Sequence, residues 1–154
     1  MKAAVFREYS QDPLKVVKIE DVDTPKIKPN EVMIKVESAA YNYNDLWAIW
    51  GEPIKVPTPH ISGSDVAGTV VEAGEDVSKF KVGDKVFGMT GFNFGTYAEY
   101  IVVNQNSNVV EMPSNATFEE AVAIIFGGHT AIYFLDKAKI ANKPVCSATM
   151  KDFN

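Results

Sequence analysis

The chain has 154 residues, 46% of them apolar and 23% charged, a balance that suits one soluble domain with a short appendage. Its formal charge of −5 and scattered basic residues argue against a nucleic-acid partner, which needs clustered Lys and Arg. A single cysteine, Cys146, excludes an internal disulfide framework and a multi-cysteine zinc site. The absence of an apolar leader, or of any run near ~18 apolar residues, predicts a soluble, cytoplasmic protein with no membrane contact.

In chain order, "KAAVF" and "LKVVKIEDV" read as two short strands separated by the turn-rich "REYSQDP". Pro25 and Pro29 bracket a loop. "EVMIKVESAAY" then alternates Val32, Ile34 and Val36 with Met33, Lys35 and Glu37, the period of a half-buried strand. "NYNDLWAIWG" reads as a short helix. Asn42 or Asn44 can cap its start, Leu46, Ile49 and Trp50 share a face, and Gly51 stops it. The proline-rich "EPIKVPTPH" is a loop.

From Asp65 the pattern returns to strands, "VAGTVVEAG" and "DKVFGM", with Val77 and Phe80 pinning the turn between them to the core. "FGTYAEYIVVNQNSNVVEMP" supplies two more strands around an Asn-rich turn. So many short strands with regular turn signals predict a mainly β fold, a barrel or sandwich. In "NATFEEAVAII", Thr117 and Glu120 form a capping box ahead of an apolar run. Gly127-Gly128 is expected to interrupt that run. "HTAIYFLDKAKIAN" then reads as a further helix, ending near Asn142 and Pro144.

The block "GSDVAGTVVEAGEDVSKFKVGDKV" resembles the glycine–acid–glycine segment of the medium-chain dehydrogenase/reductase superfamily, the alcohol-dehydrogenase-like and quinone-oxidoreductase-like enzymes. "NYNDLW", "GTYAEYIVV" and "EEAVAIIFGGHTAIYFL" follow the order and spacing of that superfamily. The resemblance covers roughly residues 1 to 140. It implies a GroES-like, partly open β-barrel over residues 1–125, the substrate domain. Residues 126–154 would then be a helical segment and tail leading toward a Rossmann domain that this chain does not contain. Gly63, Gly68, Gly74 and Gly83 fall where strands turn or backbones approach closely, so they speak for the fold and not the chemistry.

A catalytic zinc needs three ligands among Cys, His and carboxylate. In zinc-dependent members a cysteine precedes the short helix, a His-Glu pair follows the glycine, and a third ligand lies near the double glycine. The resemblance places Asn42, Ser64-Asp65 and Phe126 at those positions. Neither His60 nor His129 falls on one of them, and "TGFNFG" replaces the four-cysteine structural lobe. This implies the zinc-independent branch, with no metal and with Asp65 as a structural acid; a zinc site using Asp65, His60 and another carboxylate is the weaker alternative.

Members of that branch transfer hydride from NADPH to a quinone, an enone, an enoyl thioester or a small carbonyl, and the protein orients both molecules. By resemblance, Asn42 and Thr130 approach the nicotinamide and Trp47 forms part of the pocket wall, while no catalytic residue stands out. Other readings compete: Asn42 as a helix cap, Thr130 as the cap of the last helix, Trp47 as core. "NYNDLW" with "HISGSDVAG" is also similar to the crotonyl-CoA reductase group. The donor tyrosine that some enoyl reductases carry after the helix is replaced by Gly51-Glu52-Pro53. Tyr41 and Tyr43 read as packing residues.

The dinucleotide site of the superfamily needs a buried strand, a glycine-rich turn and a helix start. After Gly128 the chain has no glycine, and Cys146 lies in a polar tail with no base beside it. The isolated chain is therefore expected to be a truncated form that holds no NADPH tightly and turns nothing over. Two alternatives stand beside this. One is an association module, a possible homo-oligomer built on the apolar "AIIFGG" and "AIYFL". The other is half of a split enzyme completed by a separate nucleotide-binding chain.

Overall fold

A computed structural model describes residues 1–138. Two antiparallel sheets form it. The smaller has the order β2-β1-β4, from β1 (Lys2–Phe6), β2 (Lys18–Asp21) and β4 (His60–Ile61). The larger has the order β7-β3-β5-β6-β8, from β3 (Glu31–Ser38), β5 (Asp65–Ala73), β6 (Lys85–Met89), β7 (Tyr100–Asn104) and β8 (Asn108–Glu111). The fold is GroES-like, a mainly β, curled half-barrel with a few short helices, as the resemblance implied.

β3 pairs with β5 through two register shifts, at Met33/Ile34 and Val36/Ser38, and such bulges sharpen the curl of a sheet. The first four residues of β5 (Asp65, Val66, Ala67 and Gly68) are all buried, because sheet covers one face and helix the other. On the sheet side, Val32, Ile34, Val66, Val70, Val86 and Ile101 form the main core, with Val77 and Phe80 packed onto it as predicted. Gly68 has to be glycine: a Cβ there would sit deep inside van der Waals contact with the Lys35 carbonyl oxygen on β3.

The two sheets are stitched by β1. Ala3 bridges to Ala98, Ala4 N–H donates to the Tyr97 carbonyl at 2.8 Å, and Lys2 N–H donates to the Glu99 carboxylate at 2.7 Å across 97 positions. A second core, of Phe6, Ala48, Ile49, Val56 and Phe94, fills the space between β1 and the helix that precedes the proline-rich loop.

Among the described residues four α-helices punctuate the sheets: α1 (Pro13–Val16), α2 (Tyr43–Trp50), α3 (Phe118–Ala123) and α4 (Ile125–Lys137). Three expectations need correction. Residues 14–16, read as part of a strand, are helical, because Asp12 caps the turn by accepting from Leu14 N–H at 3.2 Å and Pro13 supplies a preset φ. Gly127-Gly128 does not break the C-terminal apolar run. The break is at Ile124, and Gly128 N–H bonds the Ile124 carbonyl at 2.9 Å inside α4. Thr130 is consequently mid-helix and exposed, so it does not cap α4. The Thr117–Glu120 capping box of α3 is present on both sides, at 3.2 and 2.9 Å. The expected helix end at Asn142 and Pro144, and Cys146, lie outside the described residues. No helix among those described is long and apolar enough to cross a membrane.

Candidate functional site

The N-terminus of α2 and the start of β5 meet over a buried polar cluster. Asn42 is the N-cap of α2, and Asp45 closes the capping box by accepting the Asn42 backbone N–H at 2.8 Å. The Asn42 amide Nδ2 donates to Asp65 Oδ2 at 2.9 Å, and Asn44 Nδ2 donates to Ser64 Oγ at the same distance. The cap reading of Asn42 is thus seen directly, and its side chain also ties the helix to β5.

Both carboxylates, Asp45 and Asp65, are fully buried, and among the described residues neither pairs with a Lys or Arg. Burial pushes the Asp65 carboxyl above the usual range, against the pull of the Asn42 amide; the nearby Asp45 charge pushes it further, and donation from Phe126 N–H and Ser64 opposes. Asp45 is raised by burial as well, opposed by the Tyr97 hydroxyl and the Asn42 and Gly63 N–H groups. One oxygen of each, Asp45 Oδ1 and Asp65 Oδ1, has no hydrogen-bond partner among the described residues.

Sequence reasoning did not single out Tyr97 or Asp45. The Tyr97 hydroxyl lies 2.7 Å from Asp45 Oδ2 and 3.0 Å from the Ala40 carbonyl, one donor shared by two acceptors. Burial, then the Asp45 hydrogen bond, hold its phenol well above the ordinary tyrosine value. The clue available in the sequence was that a buried tyrosine hydroxyl needs a partner. The 52 positions between Tyr97 and Asp45 hid which partner it finds.

Of the three predicted site residues, Asn42 lies in the buried cluster, while Thr130 is exposed in the middle of α4. Asp65 Oδ2 accepts from the Asn42 amide at 2.9 Å, and Phe126 N–H, in the first turn of α4, lies close enough to help hold its pKa down. Thr130 follows Phe126 by four positions, hence on the same face of α4. Trp47 is not core: it stands on the outer face of α2 at 36% exposure, edge-on to Tyr43 with ring centroids 6.3 Å apart. On the face shared by Leu46, Ile49 and Trp50, Ile49 is buried and the other two are half-buried; the buried positions of α2 are Asp45, Ala48 and Ile49. Tyr41 and Tyr43 are largely exposed, and Tyr41 stacks on Tyr97 at 6.3 Å.

The donor set here does not suit zinc. An amide, a hydroxyl and two carboxylates stand where a zinc site of this kind uses thiolate and imidazole, and the Asn42 amide is engaged with Asp65. His60 lies elsewhere, between the Phe6 and Phe94 rings at 5.6 and 5.5 Å, and burial lowers its pKa. Among the described residues no three of His, Cys, Asp and Glu are grouped to hold a metal ion.

Residues 28–114 match the family profile of the alcohol dehydrogenase GroES-like domain. The 2-methylene-furan-3-one reductase of Solanum lycopersicum is 36% identical over 148 residues, 90% of this chain and 37% of that protein. A solved quinone oxidoreductase from Coxiella burnetii superposes with a TM-score of 0.84 at 32% identity, over 91% of this chain and 45% of that one. The fold is shared too with an Escherichia coli quinone oxidoreductase solved in complex with NADPH, at TM-score 0.82 and 22% identity over 90% of this chain and 42% of that one. The chain therefore spans less than half the length of these proteins.

Proposed function

Because the chain belongs to the alcohol dehydrogenase GroES-like family of the medium-chain dehydrogenase/reductase superfamily, we infer that it forms the substrate-side domain of a zinc-independent, NADPH-dependent oxidoreductase. Bound NADPH would supply the hydride. The acceptor is an alkene or ring activated by a carbonyl: a quinone, an enone or an enoyl thioester. The names of two relatives, a quinone oxidoreductase and a reductase of a methylene-furanone, support that class.

The observation that carries the reading is the Asn42–Asp65 hydrogen bond at 2.9 Å, which ties the α2 cap to a buried carboxylate at the start of β5. In this reading Asn42 and Thr130 border the nicotinamide end of the cofactor and Trp47 walls the acceptor pocket. Residues 1–125 make the domain, and residues 126–154 lead toward nucleotide-binding structure. The chain by itself holds NADPH weakly, since close approach to a pyrophosphate calls for a glycine-rich strand–turn–helix.

A chimera tests this. Residues 1–137 are joined to the nucleotide-binding half of the Coxiella burnetii quinone oxidoreductase, and NADPH oxidation is followed with a quinone, an enone and an enoyl thioester. The expected result is turnover of at least one, undiminished by a zinc chelator, with Trp47→Ala raising KM. A folded, NADPH-binding chimera that reduces none of them refutes the reading, and so does zinc-dependent turnover. Saturable micromolar NADPH binding by the chain alone refutes the part about weak cofactor binding.

A second reading, an association module, is favoured by one feature: Ile124, Ile132, Tyr133, Phe134 and Leu135 are all exposed on or beside α4. Sedimentation decides. A concentration-dependent oligomer dispersed by Ile132→Glu supports it, and a monomer at high concentration removes it.

A further inference from the structure

The loop between β6 and β7 reads Thr90-Gly91-Phe92-Asn93-Phe94-Gly95-Thr96, the same in either direction. Both ends are buried and tied to one neighbouring segment. Thr90 N–H donates to the Ser64 carbonyl at 2.7 Å, and Thr96 N–H donates to the Gly63 carbonyl at 3.2 Å. Each phenylalanine lies two positions from its nearer threonine and beside a glycine, Gly91 with φ 61° and Gly95 with φ 99°. Only one of the two rings is inside. Phe94 is 2% exposed in a socket with Phe6, Ala48, Ile49 and Val56, while Phe92 is 78% exposed, its ring centroid 6.5 Å from that of Phe94.

The inside position is the strained one. Phe94 has φ 53° and ψ −158°, and among the described residues no other non-glycine has a positive φ. A Cβ disfavours such a backbone by roughly five- to a hundredfold. The turn before it holds the loop loosely. Asn93 N–H reaches the Thr90 carbonyl at 3.4 Å and Phe94 N–H the Gly91 carbonyl at 3.5 Å, against about 2.9–3.0 Å for an ordinary backbone bond. A Cβ at Gly91 would meet nothing within 4 Å, so there is room beside the loop. With Phe92 in the socket, an identical ring makes equivalent contacts and position 94 returns to an ordinary φ. Ring burial then nearly cancels between the two arrangements, and backbone geometry with two long bonds is what separates them.

We propose that this loop is a two-state strap: Phe94 leaves the socket, Phe92 takes its place, and the two arrangements exchange about the Gly91 and Gly95 joints. The anchors at Thr90 and Thr96 stay fixed, and the slack of the strap passes from one end to the other. The arrangement with Phe92 inside is the minor one, at roughly 3–10% of molecules. Exchange reshapes a neighbouring cavity of about 320 Å³. Asn93 and Gly95 line it together with His60, whose ring meets Phe94 edge-on at 5.5 Å, so moving the strap moves that side of the lining. The proposal requires no part of the oxidoreductase reading.

The test compares the full wild-type chain with three variants in urea denaturation. Truncating a buried phenylalanine to alanine ordinarily lowers the folding constant by roughly a hundred- to a thousandfold. Phe94→Ala should lower it only by the inverse of the minor population, roughly 10- to 30-fold, because Phe92 fills the socket. Phe92→Ala alone should change it by less than about threefold. The double variant Phe92→Ala/Phe94→Ala should show the full loss or fail to fold. In the wild-type chain, nitrogen-15 relaxation dispersion should find microsecond-to-millisecond exchange at the amides of Gly91, Asn93, Gly95 and His60, and Phe92→Ala should abolish it. Phe94→Ala as damaging as the double variant would overturn the proposal. Flat dispersion along the wild-type strap, or exchange that persists in Phe92→Ala, would overturn it too.

Discussion

Truncating Asp65 to alanine leaves the Asn42 amide, 2.9 Å from Oδ2, without its acceptor. A buried donor stripped of its partner costs about 1–3 kcal/mol, and Asn42 is half-buried, so part of its loss returns through water. The loss is about 1–3 kcal/mol, a sizeable share of the roughly 5–15 kcal/mol that stabilises an ordinary domain. Asp65→Asn is a different perturbation. It keeps an acceptor for Asn42, removes a buried charge that has no cation beside it, and places an amide where Oδ1 already lacks a partner. Its net effect should fall within about 1 kcal/mol of zero.

The pH dependence separates the two variants further. The folded-state pKa of Asp65 is raised, so the site contributes fully below the ordinary aspartate range and loses that contribution as pH climbs through the folded value. The wild-type chain should therefore gain stability on mild acidification from neutral pH, and Asp65→Asn should gain less. Urea denaturation followed by tryptophan fluorescence, at neutral and mildly acidic pH, reads both effects. Combining Asp65→Ala with Asn42→Ala should give a coupling of about 1.5–3 kcal/mol, as suits a hydrogen bond to a charged group. If Asp65→Asn costs as much as Asp65→Ala at both pH values, the reasoning fails.

Tyr97→Phe removes the hydroxyl that Asp45 and Ala40 share, and should cost about 1–3 kcal/mol in the same denaturation assay. It should also steepen the fall of stability with rising pH, since Asp45 loses a donor that holds its pKa down. Gly68→Ala should cost at least about 3 kcal/mol or abolish soluble expression, because its Cβ meets rigid backbone; a drop in melting temperature of only a degree or two would contradict that. Thr117→Ala should lose about 1 kcal/mol, with hydrogen exchange quickening first in α3.

The strands were legible because their patterns are local. Val32, Ile34 and Val36 alternate as a half-buried strand must, and the turn glycines bound "VAGTVVEAG" without ambiguity. α1 was not, since "LKVV" has the β-branched content of a strand and only the Asp12–Pro13 pair marks a helix start. The double glycine misled for a related reason. Glycine in a helix costs about 1 kcal/mol, yet α4 runs through the pair, with Ile125 at its start seated in the cluster around Ala67. At the site, Asn42 and Asp65 were visible as residues, but their bond spans 23 positions and no short motif announces it. Tyr97 belongs to the same class of long-range facts.

The stitching of β1 to the segment around Tyr97 has a consequence for synthesis on the ribosome. The first strand finishes its pairing only with residues made 97 positions later, which at 5–20 residues per second is roughly 5–20 s of elongation. Through that interval a nascent strand rich in alanine, valine and phenylalanine has one edge open to any extended neighbour. Slowing elongation should widen the interval and lower the soluble yield, unless a trigger-type chaperone shields the emerging segment.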